Sequence, residues 1–309
     1  MFIAVDIGGT KTEVALGDKK ARVLRTKIIP TKADFTPFLV SLFSIIADFS
    51  RDKKIKGISI AAPGPLDPQS GTIFSSPNLR WRNVCIKKIV EERFNLPVLL
   101  ENDANLAGLG ESICGAGKDV SSLFYLTVST GIGGGFILDK EIYQGVSFDA
   151  GEIGHTVVLP DGPLCNCGKR GCLEALCSGR AIAKKARQAV RKHPHSLILR
   201  LAGKRREAIT AQIVVEALRQ NDKLAQQVWQ EVCYFLGIGI ANMINLVNPE
   251  MVVIGGGVSK AGVLLFKPLR KIVREMGWER AVNSCRIVKA KLKNSGIVGA
   301  LIYASRSPR

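Results

Sequence analysis

Little in this chain of 309 residues would let it cross or enter a membrane, and histidine is scarce. No uninterrupted apolar run reaches the roughly 20 residues of a membrane span, and no charged-then-apolar leader precedes the first strand-like run at Phe2, so a cytoplasmic protein with no membrane partner is expected. Only three histidines occur, and aromatic residues make up 6%. No Gly-x-x-x-x-Gly-Lys-Ser/Thr segment is present, which argues against a P-loop nucleotidase. Low-complexity linkers and short-period repeats are also missing. Acidic residues are outnumbered 26 to 44, for a net charge of +18. The excess concentrates at Arg180–Arg206 and Lys267–Lys293. The first block has no aromatic residue and the second only Trp278, and Arg180–Arg191 alternates with Ala, Ile and Val. A solvated helix face is therefore expected, with no specific nucleic-acid partner, although a basic surface steers anions towards it.

An apolar fraction of 46% over this length supports one large core or two domains. Phe2–Val5 and Thr12–Leu16 read as antiparallel strands around a glycine turn, Arg22–Ile29 as a third strand, Phe35–Phe49 as a helix and Gly57–Ala62 as a buried strand. That order differs from a Rossmann unit, in which a helix follows the first glycine loop. A second strand, glycine turn and strand spans Leu123–Val128, Gly131–Gly135 and Phe136–Leu138. Helices are predicted at Ala181–Val190, Ala211–Arg219 and Leu224–Leu246, then a buried strand at Met251–Ile254 and a helix from about Lys260. The repetition predicts a duplicated, two-domain α/β chain with a cleft: a small domain over 1–117, completed by a C-terminal helix at about 295–309, and a large one over 118–294.

Three glycine turns follow apolar strands: Gly8-Gly9-Thr10-Lys11, Thr130-Gly131-Ile132-Gly133-Gly134-Gly135 and Gly255-Gly256-Gly257. Consecutive N–H groups without Cβ atoms can wrap phosphate oxygens, and Asp6 beside the first can hold magnesium through water. Hairpins use glycine too, so it is the set of three that indicates a nucleotide. Glu101-Asn102-Asp103-Ala104-Asn105 follows the apolar strand Val98–Leu100, where a ligand crevice is expected. Asp103 is either a general base, ionised at neutral pH with the usual carboxylate pKa of about 3.9, or a helix N-cap. His155, Cys165, Cys167 and Cys172 form a Cys₃His set for a closed, structural zinc; a redox pair is the rival, but the spacing is not Cys-x-x-Cys. The second ring nitrogen of His155 is then left for a ligand. Glu152 and Glu174 flank this set and can accept hydrogen bonds from a polyhydroxylated molecule, with Asn78 and Asn102 as further candidates; surface solvation is the alternative for the carboxylates. The remaining cysteines, Cys85, Cys114, Cys177, Cys233 and Cys285, read as small buried hydrophobes.

These segments, with Ala62-Pro63-Gly64-Pro65-Leu66-Asp67 and Gly151-Glu152-Ile153-Gly154-His155, resemble the ROK family of sugar kinases in order and spacing, most closely its bacterial glucokinase branch. The resemblance implies an actin-like (ribonuclease H-like) ATPase fold of two α/β domains around a central cleft, and transfer of the ATP γ-phosphoryl group to a sugar hydroxyl. It implies Asp103 as base and Asn78, Asn102, Asp103, Glu152, His155 and Glu174 as sugar contacts. Asp6, Gly8, Gly9, Thr10 and Lys11, then Thr130, Gly131, Gly133 and Gly134, match the phosphate and Mg²⁺ segments. Gly255, Gly256 and Gly257 fall where adenosine is held, and His155, Cys165, Cys167 and Cys172 match the Zn²⁺ ligands. A homodimer is also implied. Glucose is the expected substrate, with N-acetylmannosamine, another N-acetylhexosamine or fructose as alternatives. The family's repressors carry an N-terminal helix-turn-helix that the position of Asp6 leaves no room for, and a non-catalytic sugar-responsive regulator would not need Asp103 with three glycine turns.

Overall fold

The computed structural model describes residues 1–51, 53–76 and 79–306. Along the chain the elements are β1 Phe2–Ile7, β2 Lys11–Gly17, β3 Val23–Pro30, α1 Phe35–Ser50, β4 Ile58–Ala62, β5 Leu66–Asp67, β6 Thr72–Ser76, β7 Leu79–Val84, α2 Ile86–Phe94, β8 Val98–Asn102 and α3 Asp103–Cys114. They continue with β9 Ser122–Val128, β10 Ile132–Leu138, β11 Glu141–Tyr143, α4 Leu173–Cys177, α5 Gly179–Ala189, α6 Leu197–Leu201, α7 Ala211–Arg219 and α8 Lys223–Val247. The last are β12 Met251–Gly255, α9 Val263–Met276, α10 Glu279–Ser284, β13 Arg286–Lys289 and α11 Ser295–Ser305.

The chain divides into two compact units. One comprises Met1–Tyr125, Gly135–Gly151 and Ala290–Arg309; the other comprises Leu126–Gly134 and Glu152–Lys289. In the first, a sheet runs in the order β3-β2-β1-β4-β8. β1, β2 and β3 pair antiparallel, and β1, β4 and β8 pair parallel. Strand alternation sorts its two faces. Ile3, Val5 and Ile7, Ile58 and Ile60, and Val98 and Leu100 share one core with Phe38, Leu42 and Trp81. Each such side chain contributes about 1.5–3 kcal/mol of burial free energy. Asp6 and Glu101 have the opposite parity and belong to the other face, against which α3 and α11 pack.

Those two helices approach closely. A Cβ on Gly299 would lie 1.7 Å from the Leu106 carbonyl oxygen, so only glycine permits the crossing. Two long-range polar devices fix the far end of α3. Glu111, fully buried, accepts from Ala116 N (2.8 Å), Lys291 N (3.1 Å), Leu292 N (2.8 Å) and the Ser295 hydroxyl (2.7 Å). The Lys140 ammonium donates to the carbonyls of Ser112, Gly117, Lys118 and Val120 at 2.6–3.1 Å. It supplies the cation that the last turn of α3 lacks.

A second sheet has the order β11-β10-β9-β12-β13. Here the expected glycine turn is corrected: β10 begins at Ile132, so Gly133, Gly134 and Gly135 are strand residues. Gly135 has no room for a side chain. A Cβ on Gly135 would lie 2.6 Å from Asn105 Oδ1. The predicted helix from Lys260 is a 3-10 turn over Val258–Ala261 followed by α9. Contrary to the reading of the apolar runs, α8 is long and apolar enough to cross a membrane. Its buried residues, among them Leu224, Val228, Val232, Leu236, Ile240 and Ile244, recur at helical spacing on a face packed against α9 and α4, as in a core helix. Of the five other cysteines, Cys177, Cys233 and Cys285 are buried as expected, whereas Cys85 is exposed and Cys114 half-buried.

Candidate active site

Asp103 is the first residue of α3, and the cap is its neighbour. The Asn102 side chain accepts from Ala104 N (2.8 Å) and Asn105 N (3.3 Å). The capping explanation of Asp103 therefore passes to Asn102, and the Asp103 carboxylate stands at the positive end of the helix. Its environment corrects the expectation of an ordinary pKa: burial pushes the Asp103 carboxyl up, against the backbone N–H groups that lower it. Asp6 lies close enough to interact with it. Burial, then Asp103, then Glu13 raise the Asp6 pKa to about 7. Two half-buried carboxylates with a third nearby repel one another, and a divalent cation relieves such repulsion, so this group of oxygen donors fits Mg²⁺. Two features of this corner were not apparent in the sequence. A Cβ on Gly296, at the start of α11, would lie 3.0 Å from Asp6 Oδ2, and Asn294 Nδ2 donates to Glu13 at 2.8 Å. Gly8 closes the β1–β2 hairpin through its N–H to the Lys11 carbonyl (3.0 Å), with Gly9 and Thr10 at the tip. Asn78 lies outside the described residues.

In the other unit, His155, Cys165, Cys167 and Cys172 converge, with all four ligand atoms within 4.8 Å of one another. Cys165 Sγ to His155 Nδ1 is 3.7 Å, and Cys167 Sγ to Cys172 Sγ is 3.6 Å. A tetrahedral zinc with bonds of about 2.3 Å to sulfur and about 2.0 Å to nitrogen has edges of about 3.6–3.8 Å, so the donor set fits. The Lys169 backbone N–H leads the influences that draw the Cys167 thiol down to about 7, towards the thiolate a metal requires. The knuckle depends on Gly171, whose φ is +71° and whose Cβ would fall 1.6 Å from the Leu159 carbonyl oxygen.

With Nδ1 turned to the cysteines, His155 Nε2 faces Glu152 Oε2 at 3.9 Å. Both side chains are roughly 40% exposed, at 38% and 41%, leaving room for a ligand between them. Glu174 is in the first turn of α4, and one of its oxygens accepts from Ile132 N (2.9 Å). A Cβ on Gly131 would lie 2.5 Å from that same oxygen, so Gly131 sits in the bend between β9 and β10 directly against Glu174.

A cavity of about 800 Å³ opens in the same unit. Thr130, Gly257 and Val258 line it. Gly255 does not, being the end of β12, and neither does Gly256, which at φ +81° backs onto the Val128 carbonyl. The remaining walls carry Arg180, Lys184, Arg187, Arg219 and Lys260 and no carboxylate. The first basic block is thus not simply a solvated face: three of its residues on α5 line this cavity.

Parallel-stranded α/β units with glycine-flanked hairpins and a carboxylate at a strand-to-helix corner define an actin-like ATPase fold. The chain belongs to the ROK family, whose model matches residues 2–307. It is 37% identical over 310 residues to a glucokinase of Halalkalibacterium halodurans, covering 96% of this chain and 93% of that one. It is 35% identical over 304 residues to a xylose repressor of Caldicellulosiruptor bescii, covering 96% of this chain and 76% of the repressor. A crystal structure of a ROK family glucokinase from Streptomyces griseus in complex with glucose and AMPPNP superposes with a TM-score of 0.87 at 34% identity, covering 99% of both chains.

Proposed function

We propose that this chain is an ATP-dependent sugar kinase that transfers the γ-phosphoryl group of ATP to a hydroxyl of glucose, giving glucose 6-phosphate. The observation that carries this reading is Asp103, a half-buried carboxylate freed from capping by Asn102 and set at the positive end of α3. Asp103 accepts the proton of the sugar hydroxyl as its oxygen attacks phosphorus. Asn102, Glu152, His155 and Glu174 hold the other hydroxyls, and the Nδ1-in, Nε2-out orientation of His155 supports that assignment. Asp6 and the Gly8–Lys11 hairpin hold the phosphates and Mg²⁺, which when bound neutralises the phosphate charge. Thr130, Gly257 and the cationic walls of the 800 Å³ cavity take the nucleotide. Zinc on His155, Cys165, Cys167 and Cys172 is structural and fixes the imidazole. The protein is cytoplasmic, and a homodimer is the assembly the family resemblance implies. A coupled ATP-consumption assay over a panel of hexoses tests the reading. Glucose is expected to give the highest kcat/KM, and Asp103→Asn to lose about 10²–10⁴-fold in kcat while retaining sugar affinity. Near-normal turnover by that variant would refute the base assignment.

A further inference from the structure

Glu101 is a buried carboxylate that the phosphoryl-transfer reading leaves without a role. It is fully inaccessible to solvent, and its hydrogen-bond partners are all neutral donors. Burial accordingly pushes its carboxyl up. A fully buried polar side chain with three hydrogen-bond partners calls for a reason.

The reason lies in what it touches. Glu101 is the penultimate residue of β8, on the face shared with Asp6 and in register with Ala61 of β4. Its Oε1 accepts from Asn102 N at 2.7 Å and from Asn105 Nδ2 at 3.0 Å. Those two residues bracket Asp103, one at the strand end and the other in the first helical turn. Its Oε2 accepts from Gln144 Nε2 at 2.5 Å, and the Gln144 carbonyl is itself held by Ala150 N at 3.1 Å. Asn105 is pinned in turn: it is buried, and Gly135 is a glycine because Asn105 Oδ1 stands where a Cβ would be.

We propose that Glu101 is the positioning residue for Asp103, clamping the strand end, the first turn of α3 and the 144–150 loop so that the Asp103 carboxylate is held in one place. The inference rests on the reading of Asp103 as the base. It assigns Glu101 no contact with substrate. What matters is the acceptor geometry, not the charge. A carboxamide at 101 still offers Oε1 to Asn102 N and Asn105 Nδ2, and the Gln144 amide can turn to present its own oxygen. A methyl group at 101 leaves those donors buried and unmatched, and the corner relaxes around Asp103.

The test is a double-mutant cycle on the full-length enzyme. Glu101→Ala and Glu101→Gln are each made in the wild-type and the Asp103→Asn backgrounds, with circular dichroism and gel filtration to establish folding. Displacement of a reacting group by about 1 Å is enough to cost about 10²-fold. Glu101→Ala is expected to lower kcat about 10–100-fold, and Glu101→Gln to recover most of that loss. In the Asp103→Asn background, Glu101→Ala should change the residual rate by less than about twofold, because the group it positions is already gone. A purely structural Glu101 would lower thermal stability and leave kcat per folded molecule unchanged, which overturns the proposal. An equal loss in both backgrounds also overturns it, since Glu101 would then act elsewhere. Should Glu101→Ala not fold, Gln144→Ala removes one donor to the same clamp and carries the same test, with a smaller loss that vanishes in Asp103→Asn. Normal turnover by Asp103→Asn alone would reject the base reading itself and is distinguishable from every other outcome.

Discussion

Replacing Glu111 by alanine should unfold the far end of α3 before anything near Asp103 is touched. The carboxylate is fully buried and accepts four hydrogen bonds, from three backbone N–H groups and one hydroxyl. The Ser295 hydroxyl can rotate to another acceptor, but the N–H groups of Ala116, Lys291 and Leu292 cannot. Each buried, unmatched donor costs about 1–3 kcal/mol, so the three together bound the loss at about 3–9 kcal/mol. Partial relaxation and entering water place the expected value at the lower end, about 3–5 kcal/mol, within a total stability of about 5–15 kcal/mol. Glu111→Gln separates the contributions. Its carbonyl oxygen keeps two donors and its amide group confronts the others. If the amide turns towards Leu292 and Ser295, one N–H is orphaned and the cost is about 1–3 kcal/mol. Urea titration followed by circular dichroism reads both variants as a lower midpoint, and proteolysis should cut first within residues 112–120 or 290–295, where the lost bonds were. An alanine variant within about 1 kcal/mol of wild type would refute the assignment of Glu111 as the link between α3 and the 290–295 segment.

Asp6 predicts a pH dependence of stability. Its folded pKa is raised to about 7, so between the ordinary carboxylate range and pH 7 the folded protein binds a proton that the unfolded chain releases. The contribution of Asp6 to stability is most favourable at low pH and is lost as pH rises towards 7. Asp6→Asn should therefore raise the melting temperature at pH 8 in magnesium-free buffer, change it little near pH 4, and abolish kinase activity; equal shifts at both pH values would contradict this. For the zinc site, elemental analysis should find about one zinc per chain. Its removal by a chelator should weaken sugar binding through His155 as well as lower the melting temperature, and a zinc-free protein with unchanged sugar affinity would refute the link.

What was legible in the sequence was local. Cys165, Cys167, Cys172 and His155 lie within eighteen residues, and a knuckle that short brings its ligands together almost by covalent geometry, so spacing alone predicts the convergence. The first hairpin and the strands after it follow from alternation and apolar runs, whereas the parallel pairing of β1, β4 and β8, which sets Asp6 and Glu101 on the face opposite the core, joins strands distant in sequence and was not legible there. At residues 102–103 the sequence left two answers, because Asn and Asp are equally good caps and only the backbone direction decides which one turns inward. The reading of Gly133–Gly135 as a turn misled for a related reason. Glycine signals a need for space or for unusual dihedrals, and at Gly135 the space is for Asn105, a side chain that the chain brings in from elsewhere. Glu111 was illegible as a structural acid, since two of its donors are 180 and 181 residues away.

The positive charge of the chain divides along the same line. Read along the sequence, Arg180–Arg206 is a block of ten cations with no carboxylate, and such a block is ordinarily a solvated surface. In three dimensions Arg180, Lys184 and Arg187 share the 800 Å³ cavity with Arg219 and Lys260, which come from outside that block. Arg187 is committed within it, donating to the Ile209 carbonyl at 2.8 Å, and Arg219 is paired with Glu216. Cations held by local partners cost less to bring to a phosphate than freely rotating ones, because their side-chain entropy is already spent. An exposed basic helix attracts any polyanion, whereas a concave set of five with fixed members favours a compact one. The geometry thus turns part of a +18 charge that composition alone would assign to non-specific attraction into a concave surface suited to the compact polyanion proposed for it.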